Sequence, residues 1–185
     1  MTRVVALFAL AILVVACGIP LDSGPEVVQV EINPLPDVEP QAQGELAAVS
    51  VFLVRNDLLV EASRELPSPP SLTSIFGSLL DGVTEQEREE NLRTSIPPGT
   101  EMISVTEDGS VLLVDLNSEF ASVGGEEEIL AVAQIVLTAS RIEGVDLVTF
   151  QLEGVPTDVP VADGALSVDP VGFDDYSDLV SDGSE

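Results

Sequence analysis

The chain has no histidine, no lysine and no tryptophan, a single cysteine, a single tyrosine, and six cationic side chains, all arginine, against 33 acidic ones. Each shortage removes a class of chemistry. Without histidine there is no imidazole base for a serine or cysteine nucleophile and no Cys/His zinc site, and without lysine the amine nucleophiles and bases are missing too. One cysteine cannot form a disulfide within the chain. A net charge of −27 leaves no basic cluster for nucleic acid, and an anionic lipid leaflet repels such a chain. Neither GxGxxG nor GxxxxGK[ST] occurs, so dinucleotide and P-loop phosphate sites have no support. A sugar binder that stacks aromatic rings on its ligand has almost nothing to work with.

What is present is a foldable composition, 45% hydrophobic and 21% charged, outside the class that stays disordered. It opens on Arg3 and an apolar run from Val4 to Ala16, shorter than the ~20 residues that span a bilayer and typical of a signal peptide over residues 1–16. The run closes with Val14-Val15-Ala16-Cys17, which resembles the lipobox of bacterial lipoproteins, with Val14 where leucine is commonest. The resemblance implies that Cys17 is the lipid attachment residue, with cleavage before it and acylation of thiol and new amino terminus. Acyl chains contribute about 0.8 kcal/mol per buried CH₂, so two or three hold a protein on a membrane. Removing residues 1–16 deletes Arg3 and no acid, which takes the charge from −27 to −28. Membrane attachment therefore rests on lipid alone, and the expected place is the outer face of the bacterial cytoplasmic membrane.

From Cys17 to Glu45 the sequence is acidic and holds five prolines. Proline and charge repulsion favour extended conformers, so this tether reaches roughly 30 Å as coil and up to about 85 Å as polyproline II. Val27–Ile32, "VVQVEI", is the one stretch in it with the character of an edge strand. Residues 177–185 are again acidic and read as a solvated tail. Residues 46–176 remain, a normal size for one domain with its own core.

Within that span "VSVFLV" (Val49–Val54) is apolar on both alternating faces, as an interior strand is, and "LLVEASREL" follows across an "RND" turn. "SPPSLTSIFGSLLDG" reads as a helix capped by Ser68, with Pro69 at its first position, a stripe of Leu72, Ile75, Phe76, Leu79 and Leu80, and Gly82 at its end. Thr84-x-x-Glu87 is a capping box for a second, short helix. "EMISVTEDGSVLLVDL" is a hairpin turning at Asp108-Gly109, suited to a type I′ turn. A long helix follows, with Glu126–Glu128 at its positive end and a stripe of Ile129, Val132, Ala133, Val136 and Leu137. "VDLVTFQLEG" closes as a strand. The order β-β-α-β-β-α-β predicts the α+β class, with helices packed on one face of a mostly antiparallel sheet.

Several of these segments, in this order and spacing, resemble the GerMN domain, the sporulation and spore germination domain. They are Leu79-Leu80 with Gly82, the Thr84–Glu87 turn, and Ile96-Pro97 with Gly99-Thr100. Val114-Asp115-Leu116 with Phe120, and Ala133-Gln134-Ile135-Val136 with Thr138, continue the series, and "DPVGFDDY" is similar to the end of the domain in actinobacterial lipoproteins. The similarity runs from about residue 47 to 176. Val83 stands where the family usually has proline, and Asn91 where glycine is common. The resemblance implies a non-catalytic interaction module on the cell envelope. It leaves open sporulation and germination, envelope assembly, and sensor-kinase signalling, with an unidentified envelope or membrane protein as partner.

No cofactor, metal or small-molecule substrate is expected. Asp115 and Glu119 are the nearest approach to the paired carboxylates of a hydrolase, the alternative class together with a cell-envelope carbohydrate binder. Acids this abundant meet by chance, and Gly82, Gly99, Pro97, Thr84 and Glu87 all have sufficient roles in turns and caps. Asp174, Asp175, Asp178 and Asp182 offer oxygens for calcium but miss the EF-hand spacing. Strand alternation supplies the remaining candidate. Val148, Phe150 and Leu152 share one face and Leu147, Thr149 and Gln151 the other, while Val111 and Leu113 lie opposite Leu112, Val114 and Leu116. If helices cover the second hairpin set, Val111, Leu113 and Leu147 form an apolar patch on the helix-free face. Either the C-terminal "VPVADGALSVDP" covers it or a partner does.

Overall fold

The computed structural model describes residues 44–181. The expected signal peptide, Cys17, the tether up to residue 43 with its Val27–Ile32 stretch, and residues 182–185 lie outside the described residues. Strands β1 (Leu46–Arg55) and β2 (Leu58–Pro67) form an antiparallel hairpin. Its two turn residues, Asn56 and Asp57, have φ of 51° and 62°, the left-handed pair that a type I′ turn demands and that Asn and Asp tolerate best after glycine. Val51 to Val54 are fully buried, as expected for a strand apolar on both faces.

Helix α1 (Leu72–Leu80) buries Ile75, Phe76 and Leu79, the expected stripe, but it starts later than the sequence suggests. Ser71 is the cap: its hydroxyl accepts from the Ser74 amide at 3.1 Å, and its own amide donates to the Ser74 hydroxyl at 2.9 Å. Pro69 cannot open the helix because Pro70 follows it, and a residue before proline is pushed out of the helical region. Helix α2 (Glu85–Glu89) carries the predicted box: the Glu87 amide donates to the Thr84 hydroxyl at 3.2 Å and the Thr84 amide to the Glu87 carboxylate at 2.6 Å. Asn91, at the position where glycine is common, has a φ of 60°. Asparagine there meets the same left-handed requirement at a modest cost.

The second hairpin joins β3 (Met102–Asp108) and β4 (Val111–Leu116), with Asp108 paired to Val111. The turn is therefore Gly109-Ser110, one step on from the expected Asp108-Gly109. Of these only Gly109 has positive φ, at 65°, the pattern of a type II′ turn with glycine first. The chain then passes through helix α3 (Glu126–Ala139) to β5 (Leu147–Leu152), which pairs with β4 in parallel. Four two-residue strands follow: β6 (Val155–Pro156), β7 (Val159–Pro160), β8 (Leu166–Ser167) and β9 (Val171–Gly172). β6 and β9 share the far edge of β5, and β7 pairs with β8.

The α+β class stands, with two differences in topology. The first hairpin is a separate two-stranded ladder, and the β4–β5 pair is parallel because a helix connects the two strands. The organising element is α3. Every residue from Leu130 to Ala139 is buried, so the helix is enclosed rather than striped, touched by β1, β2, α1, β5, β7, β9 and a 3-10 helix over Phe173–Leu179. Two of its buried residues are polar. Gln134 donates to the Phe52 carbonyl at 2.9 Å and accepts from the Ser95 amide at 2.7 Å, and the Thr138 hydroxyl accepts from the Phe52 amide at 3.0 Å. Helix side chains thereby take the place of a neighbouring strand on the outer edge of β1.

The C-terminal segment closes the core with Val159, Val171 and Tyr176. The Tyr176 hydroxyl donates to the Pro160 carbonyl at 2.8 Å, and burial, with the neighbouring Asp175 carboxylate, pushes its phenol up. The chain stays packed beyond Tyr176, where the composition suggests a solvated tail. Val180 bridges to Leu59, and the Ser181 amide donates to the Leu59 carbonyl at 2.9 Å. Leu179 and Val180 supply apolar surface against the core.

Candidate functional site

The main sheet has one face under the core and one away from it. Leu112, Val114, Leu116, Val148 and Phe150 are buried on the first, where Phe150 stacks on Phe120 with ring centroids 6.2 Å apart. On the other, Val111 lies directly across from Leu147 and Leu113 across from Thr149. The structure thus brings Val111, Leu113 and Leu147 together on one face, and all three are half-buried. The C-terminal stretch puts its buried residues elsewhere: Val159 packs into the core beside α3, and Val171 pairs with Val148 at the edge of β5. Of its other apolar residues, Val161 and Ala162 pack against the core, while Leu166 and Val168 are 68% and 79% exposed.

Asp115 shares that face and is buried, but its carboxylate is occupied. It accepts the Gly154 amide at 3.0 Å and so holds the β5–β6 turn, whose Glu153 and Gly154 have φ of 51° and 80°. Glu119 is exposed in a 3-10 turn, Ser118–Ser122. Asp175 accepts the Gly172 amide at 2.7 Å, and among the described residues no three metal-capable side chains converge. The same residues contain no helix long and apolar enough to cross a membrane. Cys17 lies outside the described residues.

A second feature escaped the sequence reading. Between β2 and the α1–α2 connection runs a groove of about 770 Å³, lined by the consecutive residues Val60–Leu66 on one side and by Asp81–Thr84 with Gln86, Glu87 and Glu90 on the other. Arg64 holds the two walls together. Its guanidinium donates through Nε to Glu87 at 2.9 Å and through Nη2 to the same carboxylate at 2.7 Å, and also reaches the Gly82 carbonyl at 2.7 Å and the Ser78 carbonyl. Burial works to raise the Glu87 pKa. The Arg64 bonds and charge, with the Thr84 amide, outweigh it and hold the carboxyl below its usual range. Arg55 also lines the groove, and its buried Nε has no partner. It is the one arginine among the described residues without a carboxylate partner. A base on the otherwise apolar even face of β2, Arg64 beside Val60 and Ala62, was the available signal.

The geometry defines a small α+β domain wrapped around one enclosed helix, with a half-open sheet face and an edge groove and with Asp115, Asp175 and Glu87 engaged in structure. The chain belongs to the Germane family, sporulation and spore germination, whose model matches residues 41–158. Among solved structures it is similar to the tandem GerMN domains of the sporulation protein GerM from Bacillus subtilis, at 19% identity and a TM-score of 0.55 over 70% of this chain and 47% of that one. It therefore spans about half the length of that tandem protein. It also resembles the first GerMN domain of GerM alone, at 18% identity and a TM-score of 0.54, over 69% of this chain and 98% of that one. A third likeness is to a Clostridium perfringens protein provisionally classed as a lipoprotein, at 14% identity and a TM-score of 0.50, over 75% and 95% of the two chains. No match was found among curated proteins.

Proposed function

We propose that this protein is a lipid-anchored, extracytoplasmic, non-catalytic interaction module that serves a sporulation, germination or envelope assembly. The observation that carries the reading is the helix-free sheet face, where Val111, Leu113 and Leu147 stand together half-buried and the C-terminal segment packs elsewhere. Apolar side chains grouped on an open face favour a protein partner. A carboxylate-dependent hydrolase has less support, since Asp115 already accepts the Gly154 amide. The anchor rests on Cys17 at the end of the apolar run, and the likeness to a provisionally classed lipoprotein is consistent with it.

Leu113→Glu tests the face. On a half-buried site it leaves melting within a few degrees of the wild type and abolishes crosslinks to the partner in native membranes. A variant that folds normally and keeps every crosslink removes this face from consideration. Cys17→Ala tests the anchor: the variant stays uncleaved or mis-sorted, whereas the wild type partitions into detergent with an acylated amino-terminal peptide. Mature wild-type protein with a free thiol at Cys17 would end the lipoprotein reading.

A further inference from the structure

We propose that the free edge of β2 accepts an extended, basic segment of a partner protein as an added strand. The inference rests on reading the domain as an interaction module, but it concerns a different surface from the sheet face. It starts from hydrogen-bond parity in the first hairpin. Phe52 directs its amide and carbonyl away from β2, to Thr138 and Gln134, and Val54 does the same toward Arg93. Their partners across the ladder are Glu61 and Leu59. In an antiparallel pair the two residues of such a rung both aim their backbone groups outward, and the pattern repeats at every second residue. Leu59, Glu61, Ser63 and Glu65 therefore present amides and carbonyls to the outer edge of β2.

The two edges are treated differently. That of β1 is closed at Phe52 by α3 and at Val54 by Arg93. That of β2 is used only at Leu59, by Val180 and Ser181; beyond it the outward groups of Glu61, Ser63 and Glu65 have no backbone partner among the described residues. They line the groove facing the α1–α2 connection. A strand edge beside a groove is the arrangement in which an extended peptide is bound by main-chain hydrogen bonds. The first rung, at Leu59 and Val180, is already laid.

Charge selects the occupant. Glu61 is engaged by Arg141 and Glu87 by Arg64, whereas Glu65, Asp81 and Glu90 have no cationic partner among the described residues, against the single unpaired Arg55. The lining favours a cationic segment. The chain's own candidates are the wrong sign. Residues 17–43 and 182–185 contain no arginine or lysine, and Glu26 and Glu31 flank and punctuate the strand-like Val27–Ile32. The occupant is a partner's strand with lysine or arginine at alternate positions.

The test uses the full mature chain in neutral detergent and two capped octapeptides, one alternating threonine and lysine, the other threonine and glutamate. The lysine peptide should bind, more weakly as salt rises, and should slow hydrogen exchange at the Glu61, Ser63 and Glu65 amides at least tenfold; the glutamate peptide should do neither. Ser63→Pro removes an outward amide that the hairpin ladder does not use, a position where an edge strand tolerates proline. It should weaken the lysine peptide at least tenfold with melting unchanged. If that variant does not fold, Asp81→Arg with Glu90→Arg, both on the exposed opposite wall, should weaken the lysine peptide and admit the glutamate one. Absence of binding, binding that leaves those amides unprotected, or binding indifferent to both variants overturns the proposal. So do amides already protected in the free chain, which would assign the groove to the protein's own segment. Leu113→Glu should bind the peptide like the wild type, so failure at the sheet face and failure at this edge are separate results.

Discussion

Replacing Gln134 with leucine should be among the most damaging single changes available in this protein, although the two side chains are close in size and leucine is the better core residue. Gln134 is fully buried. It donates to the Phe52 carbonyl at 2.9 Å and accepts from the Ser95 amide at 2.7 Å and the Thr94 hydroxyl at 3.3 Å. Leucine removes all three bonds and strands the Phe52 carbonyl and the Ser95 amide in the core. At about 1–3 kcal/mol for each abandoned group the loss is about 2–6 kcal/mol, a large fraction of the ~5–15 kcal/mol that holds a domain together. The melting temperature should fall on the order of 10 °C. Urea unfolding should show a lower midpoint at unchanged slope, and exchange at the Ser95 amide should rise more than at amides in β5. Thr138→Val, which orphans only the Phe52 amide, should cost about half as much. The double variant should lose less than the two single losses combined, because both residues hold one strand. A Gln134→Leu loss below about 1 kcal/mol would refute this account of how the hairpin is held, given the cost normally attached to two stranded buried groups.

Arg64→Ala abandons a carboxylate in a pair only 10% exposed on each side and should destabilise by about 3 kcal/mol, measured by urea unfolding. Because the folded pKa of Glu87 is lowered, its contribution is fully present above the unfolded value of about 4.3 and fades as pH falls through the lower folded value. Glu87→Gln should flatten that acid limb and leave the pH dependence above it unchanged. Tyr176→Phe removes the bond to the Pro160 carbonyl and should cost about 1–2 kcal/mol in thermal unfolding. Limited proteolysis followed by mass spectrometry should leave a core beginning near Leu46 and retaining Val180; early cleavage after Tyr176 would contradict the docking of Val180 on Leu59.

The legible parts of the fold are those whose signals are local. The apolar block of β1, the Thr84–Glu87 box and the second hairpin each declare themselves within a few residues, and strand alternation alone groups Val111, Leu113 and Leu147 correctly on one face. Helix α3 was half-legible. A stripe reading finds Ile129, Val132, Ala133, Val136 and Leu137, but Gln134 and Thr138 then resemble a solvated flank. Only the tertiary position of β1 reveals that they bind its backbone. The C-terminal strands are two residues each, too short for any periodicity, and they are fixed by the enclosed helix and by Tyr176 rather than by their own pattern. The groove was signalled only by Arg64, for a related reason. It lies along a backbone edge, and the side chains beside it, Glu61, Ser63 and Glu65, read as an ordinary polar face.

The unequal edges of the first hairpin also limit how copies of this domain can meet. Two copies that meet along β2 form a symmetric contact, β2 against β2, that uses up both of those edges and ends there. In the antiparallel form centred on Ser63, Glu61 of each copy falls opposite Glu65 of the other. Like charges face each other on both sides of the axis, a pairing that is unfavourable at each rung. Pairing of copies along β2 is thus guarded twice: geometry stops growth on that edge after one step, and charge opposes the step itself.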